Sequence, residues 1–70
     1  MQFIPVQSRM ILGVRYNKDT GEMDVVFHTG GTYRYKHVPA AVYKGLLKAQ
    51  SQGQYMHQTV LGKYDYERLD

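Results

Sequence analysis

Hydrophobic and polar residues alternate in three short runs. In the first, RMILGVRY over residues 9–16, Met10, Leu12, Val14 and Tyr16 fall on one side, and Arg9, Ile11, Gly13 and Arg15 on the other. A period of two predicts a β-strand. The next residues, NKDTGE, are turn formers and predict a hairpin connection. Residues 23–28, MDVVFH, alternate again, with Met23, Val25 and Phe27 on the inner side. Thr29-Gly30-Gly31 predicts a second tight turn, because adjacent glycines supply the positive φ that hairpin turns need. Residues 32–36, TYRYK, predict a third strand with Tyr33 and Tyr35 on one face and Thr32, Arg34 and Lys36 on the other. The three runs read as a three-stranded antiparallel meander.

The period then changes. Pro39 stands where a first helical residue belongs, a position its fixed φ favours. Val42, Leu46 and Ala49 recur at helical spacing, with Tyr43 and Leu47 beside them, and predict an amphipathic helix from about Ala40 to Gln52 that stops at Gly53. Residues 54–62 predict a short second helix with Tyr55, Thr59 and Leu61 on one side and Gly62 at its end, and residues 63–70 read as a polar tail docking through Tyr64 and Tyr66. The expected fold is α+β in the order β-β-β-α-α, one amphipathic helix covering the apolar face of the sheet. The other face would carry Arg9, Arg15, Asp24, His28, Arg34 and Lys36.

Length makes residues 1–70 a single domain, and a chain this short buries only about 60% of the surface its unfolded form exposes. It has no Cys, hence no disulfide and no thiolate metal site. Small scaffolds without such staples gain stability by self-association, so a homo-oligomer, dimer or tetramer, is expected. No apolar run approaches the ~20 residues that span a bilayer, and the N-terminal residues do not read as a secretion signal. Together with the absence of Cys, this predicts a cytoplasmic protein with no membrane partner.

The net charge of +3 hides an uneven distribution. All six acids fall in two clusters, Asp19, Glu22 and Asp24, then Asp65, Glu67 and Asp70, while residues 25–64 carry Arg34, Lys36, Lys44, Lys48 and Lys63 without one acid. Such a stretch is either a solvated surface or a local positive field suited to phosphate. Tyrosine is abundant, seven residues against two Phe and no Trp. Tyr serves both half-buried core positions and binding surfaces.

Three pieces of the chain, in order, resemble the KTSC domain family. PVQSRMILGVRY looks like its Val-x-Ser start, here Val6 and Ser8, with an aromatic closing the first strand. FHTGGTYRYKHVPAAVY carries a Tyr-x-Tyr at Tyr33 and Tyr35, followed by Val38-Pro39 and Tyr43. AQSQGQYMH is similar to its Ala-x-Ser-x-Gly-x-Tyr pattern at Ala49, Ser51, Gly53 and Tyr55, although the family often has Asn after that aromatic, where this chain has Met56 and His57. The domain is named for its place at the C-terminus of some lysyl-tRNA synthetases and also occurs free-standing in bacteria and phages. The resemblance implies a binding role, with RNA as one suggested ligand, and implies no enzymatic activity.

The residues agree with a non-enzyme. Ser8 and Ser51 stand in no nucleophile elbow, no acid lies near any His in sequence to orient it as a base, and His28, His37 and His57 lack metal-ligand spacing. No catalytic residue, metal or cofactor is expected. For ligand binding, the hydroxyl of Ser8 beside Arg9 suits phosphate. Ser51 and Gly53 lie between the helices, where Ser51 either caps the second helix or meets an anion. Arg34, Lys36, His57 and Lys63 supply further cations, and Tyr55, outside the regular sheet, is the better candidate for stacking on a base, since Tyr33 and Tyr35 read as core. These nine residues predict a site for a phosphate-bearing nucleotide. A free-standing binder can block, recruit or sequester. The leading expectation is therefore a phage-type sponge for a small cyclic nucleotide immune signal, in the bacterial host cytoplasm, with pockets shared between protomers. An RNA-binding module is the alternative, and a protein-interaction module anchored by surface tyrosines a second one.

Overall fold

The computed structural model describes residues 3–6 and 8–70. Its core is an antiparallel sheet in sequence order, formed by β1 (Ile4–Pro5), β2 (Ile11–Asn17), β3 (Glu22–Phe27), β4 (Thr32–Tyr35) and, at the far edge, β5 (Tyr66–Arg68). Two helices, α1 (Ala40–Lys48) and α2 (Gln52–Tyr55), follow β4, and α2 runs directly into a π-helical turn, Met56–Val60. The α+β class stands, but the sheet has five strands where the sequence predicted three. β1 is two residues long and β5 three, too short for a period of two to register. The expected C-terminal tail is thus β5, with Tyr35 opposite Tyr66 and Arg34 opposite Glu67. Among the described residues no helix is long and apolar enough to cross a membrane.

Both predicted hairpins form. Asn17 Oδ1 accepts the Asp19 amide at 2.9 Å and the Asn17 carbonyl accepts the Gly21 amide at 2.8 Å, which closes the first turn. The second places Gly30 and Gly31 at φ 101° and 94°, backbone that side chains rarely adopt. After β4 the chain reverses at His37, itself in the left-handed region at φ 58°.

The alternation predicted for the first strand is interrupted. Ile11 faces Phe27 and Gly13 faces Val26, so Leu12 is the extra residue of a β-bulge. Ile11 is therefore fully buried beside Val14 and Leu12 is 52% exposed, the reverse of the sides predicted for Ile11 and Leu12. From Val14 onward the register holds, and Met23, Val25 and Tyr35 point into the core as predicted.

The helices cover this face with Leu46, Met56 and Val60, all fully buried, and Val38 closes the core from the loop before α1. α1 is shorter than expected. Pro39 is its N-cap, in extended conformation, and Lys48 its last residue, since Ala49 turns to an extended ψ of 140°. Gly53 lies inside α2 rather than ending α1. The second helical segment fully buries Met56 and Val60, while Tyr55 and Leu61, two of the three residues predicted to share one side, pack partly buried against the core. The Leu61 amide donates to the Met56 carbonyl at 2.8 Å, a five-residue step that widens the turn. The aromatic face is locked by Tyr16, which stacks on Tyr43 at 4.8 Å and donates its hydroxyl to the Val38 carbonyl at 2.6 Å.

Candidate functional site

The start of β2 and the junction between α1 and α2 meet at one end of the molecule. There, a cleft of about 240 Å³ is lined by Ser8, Arg9, Met10, Gln50, Ser51, Gln52 and Gly53. Four of the nine predicted site residues, Ser8, Arg9, Ser51 and Gly53, are in it. They are brought from positions more than forty apart in sequence.

Local hydrogen bonding shapes each wall. Ser8 Oγ accepts the amides of Met10 at 3.1 Å and Ile11 at 3.3 Å, a turn that starts β2 and leaves Arg9 exposed at its corner. Ser51 Oγ accepts the Gln54 amide at 3.3 Å and caps α2. Both hydroxyls act as acceptors in these contacts, which leaves each O–H free to donate into the cleft. Gly53 lies against Met10, where an added Cβ would sit 3.4 Å from Met10 Cβ, an ordinary contact. The cleft has one guanidinium and no Asp, Glu or His among its lining residues. Among the described residues Arg9 has no carboxylate within ion-pair distance. No cluster of potential metal ligands occurs among them either.

The other predicted cations lie elsewhere. Sheet register sets Arg15 opposite Asp24, Asp24 opposite Arg34 and Arg34 opposite Glu67, a row of alternating charge across four strands. Asp24, 3% exposed, accepts from Arg15 Nε at 2.8 Å and from Arg34 Nε and Nη2 at 2.9 and 3.1 Å. Burial by itself would raise its carboxyl pKa, but the hydrogen bonds and charges of Arg34 and Arg15 prevail and hold it below the ordinary 3.8. Asp24 in turn raises the Arg34 pKa, through its hydrogen bond first and its charge second. Lys36 pairs with Glu67 at 3.5 Å and Arg68 with Asp70 at 3.6 Å. The acid-free stretch is therefore neutralised on this face by acids from neighbouring strands, which linear sequence does not reveal.

Tyr55 is half-buried, its hydroxyl donating to the Val42 carbonyl at 2.9 Å and its ring against Gly45. His57, in the π-helical turn, and Lys63, in the turn after it, are exposed and do not line the cleft. Sequence reasoning missed Met10, Gln50 and Gln52. The Gln-Ser-Gln run was a visible signal, but nothing in it announces that Ser8 lies opposite.

The KTSC domain family model matches residues 7–64, most of the chain and every residue that lines this cleft. The chain belongs to the KTSC domain family. It is 32% identical over 71 aligned positions to an uncharacterized protein of Stutzerimonas stutzeri, covering 100% of both. It is also 40% identical over 55 residues to a lysine–tRNA ligase of Trichormus variabilis and 35% over 63 residues to one of Nostoc sp.. It spans only 10% and 11% of those two ligases. Among solved structures, a KTSC domain protein from Yersinia pestis superposes with a TM-score of 0.96 at 29% identity, covering 99% of this chain and 97% of that one. Within this KTSC domain the motif pieces separate by role. Tyr35, Val38 and Tyr43 build the core, while Ser8 and the Ser51–Gly53 segment meet at the cleft.

Proposed function

We propose that this KTSC domain is a non-catalytic binding module, and that the cleft between Ser8–Arg9 and Gln50–Gly53 takes the phosphate of a small nucleotide. The observation that carries this reading is the lining itself: one cation without an acidic partner among the described residues, two hydroxyls free to donate, two glutamine amides, and no carboxylate. An anion rich in acceptors matches that set, and a guanidinium binds phosphate oxygens in a charge-assisted geometry. No His, Asp or Glu stands in the cleft to serve as a general base for either serine, which supports binding over turnover. A free-standing copy would sequester its ligand, a small linear or cyclic nucleotide.

A second reading, RNA binding, draws on the two lysine–tRNA ligases that contain a similar segment. Charge placement favours it less. Arg15, Arg34, Lys36 and Arg68 are all engaged by acids, so the outer sheet face offers no cationic track for a long phosphate backbone.

Calorimetric titration with linear and cyclic nucleotides and with short RNAs, on the wild type and Arg9→Ala, tests both. A small nucleotide should bind with shallow salt dependence, and Arg9→Ala should weaken it roughly ten-fold or more, the worth of one charge-assisted hydrogen bond. Tight RNA binding that collapses with salt would transfer the assignment to RNA. Equal nucleotide affinity in Arg9→Ala, or no binding of any nucleotide or RNA, would overturn the phosphate assignment and leave protein interaction as the role to test.

A further inference from the structure

Gln50 and Ser51 also line a second groove of about 300 Å³, whose other walls are Ala49, Gln54, Tyr55 and Gln58. The two spaces adjoin across those shared residues. They differ in character: Arg9 supplies a charge in the first, and no charged residue lines the second.

Gln54 and Gln58 stand four residues apart on the continuous helical segment formed by α2 and the π-helical turn, the spacing that puts two side chains on one face. Both are exposed, and among the described residues neither side-chain amide has a hydrogen-bond partner. Tyr55 between them is fixed, its hydroxyl held by the Val42 carbonyl at 2.9 Å and its ring set against Gly45. The groove thus sets an aromatic and methyl wall beside the side-chain amides of Gln54 and Gln58. A glutamine amide offers a donor and an acceptor side by side, the pattern that pairs with the N6 and N7 edge of adenine. The segment also carries the widened π turn, from the Met56 carbonyl to the Leu61 amide, a device frequent at ligand sites.

We propose that this second groove holds the nucleoside half of a purine nucleotide, with Gln54 and Gln58 hydrogen-bonding the base edge and Tyr55 and Ala49 forming its apolar wall. The inference rests on the phosphate reading of the adjoining cleft and extends it to the rest of the ligand. Together the two hollows reach the size of small-ligand sites, which run from about 300 to 1,000 Å³.

Calorimetric titration of the whole chain with AMP and with ribose phosphate, which lacks a base, tests it in the wild type and in the double variant Gln54→Ala/Gln58→Ala. Both glutamines are exposed and make no contact that the fold needs; circular dichroism verifies the variant. The wild type should bind AMP about ten-fold more tightly than ribose phosphate, the combined effect of two neutral hydrogen bonds. The double variant should bind AMP no better than ribose phosphate, and its ribose phosphate affinity should match the wild type. Equal affinity of the wild type for the two probes, or unchanged AMP affinity in the double variant, would overturn the base assignment while leaving the phosphate cleft standing. Failure of both probes to bind the wild type would overturn the phosphate reading and this inference with it.

Discussion

Replacing Asp24 by asparagine removes a charge from the centre of the Arg15–Asp24–Arg34 row while keeping the side chain's volume. The carboxylate is nearly solvent-free and accepts three hydrogen bonds between 2.8 and 3.1 Å. A hydrogen bond to a charged group contributes ~1.5–3 kcal/mol. Both guanidinium side chains are 29% exposed, so in the variant water solvates much of what the carboxylate held, and screening lowers the value of each contact. The expected loss is about 2–3 kcal/mol, well under the sum of three separate bonds. A chain of this length has a total stability of roughly 3–10 kcal/mol. The melting temperature should accordingly fall by about 10–20 °C. The pH dependence carries the same signature. The folded carboxyl pKa lies below its unfolded value, so its stabilisation is complete above the unfolded value and disappears as pH falls through the folded one. The wild type should lose stability in acid below about pH 4, and Asp24→Asn should lack that component. Urea unfolding followed by circular dichroism at neutral and acid pH measures both. A neutral-pH stability within about 0.5 kcal/mol of the wild type, or an identical acid limb in the variant, would refute the assignment of this row as a stabilising network.

Three further predictions follow from particular contacts. Burial, then the neighbouring Tyr66 and Tyr33, push the Tyr35 hydroxyl up to about 12. Its neutral form is therefore favoured by folding, and roughly 2–3 kcal/mol of stability should be lost between about pH 10 and the folded value; tyrosinate absorbance in alkali should show late titration at Tyr35 and, through burial, at Tyr43. Gly45→Ala would place a methyl against the Tyr55 hydroxyl and 2.9 Å from its Cζ. Overpacking of about 1–3 kcal/mol should outweigh the gain in helix propensity, and Tyr55→Phe should recover part of the loss in a double-mutant cycle. Leu12, which the bulge turns outward, lies beside Phe3, Pro5 and Val26 in an apolar hollow on the outer sheet face. If self-association uses this patch, sedimentation should show an oligomer in the wild type and a monomer for Leu12→Glu.

Much of the fold is legible along the chain because its determinants are local. β2, β3 and β4 announce themselves by alternation, their hairpins by Asn17 to Gly21 and by Gly30-Gly31, and α1 by the spacing of Val42 and Leu46. The errors cluster where a distant partner decides. Leu12 reads as inward, yet the bulge against β3 places Ile11 inside instead. Tyr66 to Arg68 read as a tail, yet β4 would be an unpaired edge without them, and pairing satisfies its backbone. In the candidate site, Ser8 with Arg9 and Ser51 with Gly53 stood out by residue type, but the glutamines beside them did not, because polar surface residues acquire meaning only from what they face.

What sequence alone determined, then, is everything set by periodicity and turn chemistry: the α+β class, the central hairpins, the main helix and membership in a family whose motif pieces lie in order. Tertiary structure alone decided which charges are available. Strand register delivers Asp24 and Glu67 to the cations that look free in the linear chain, while Arg9, at a corner outside the sheet, meets no acid among the described residues. Coulomb attraction depends on separation in space, and folding sets those distances without regard to order along the chain.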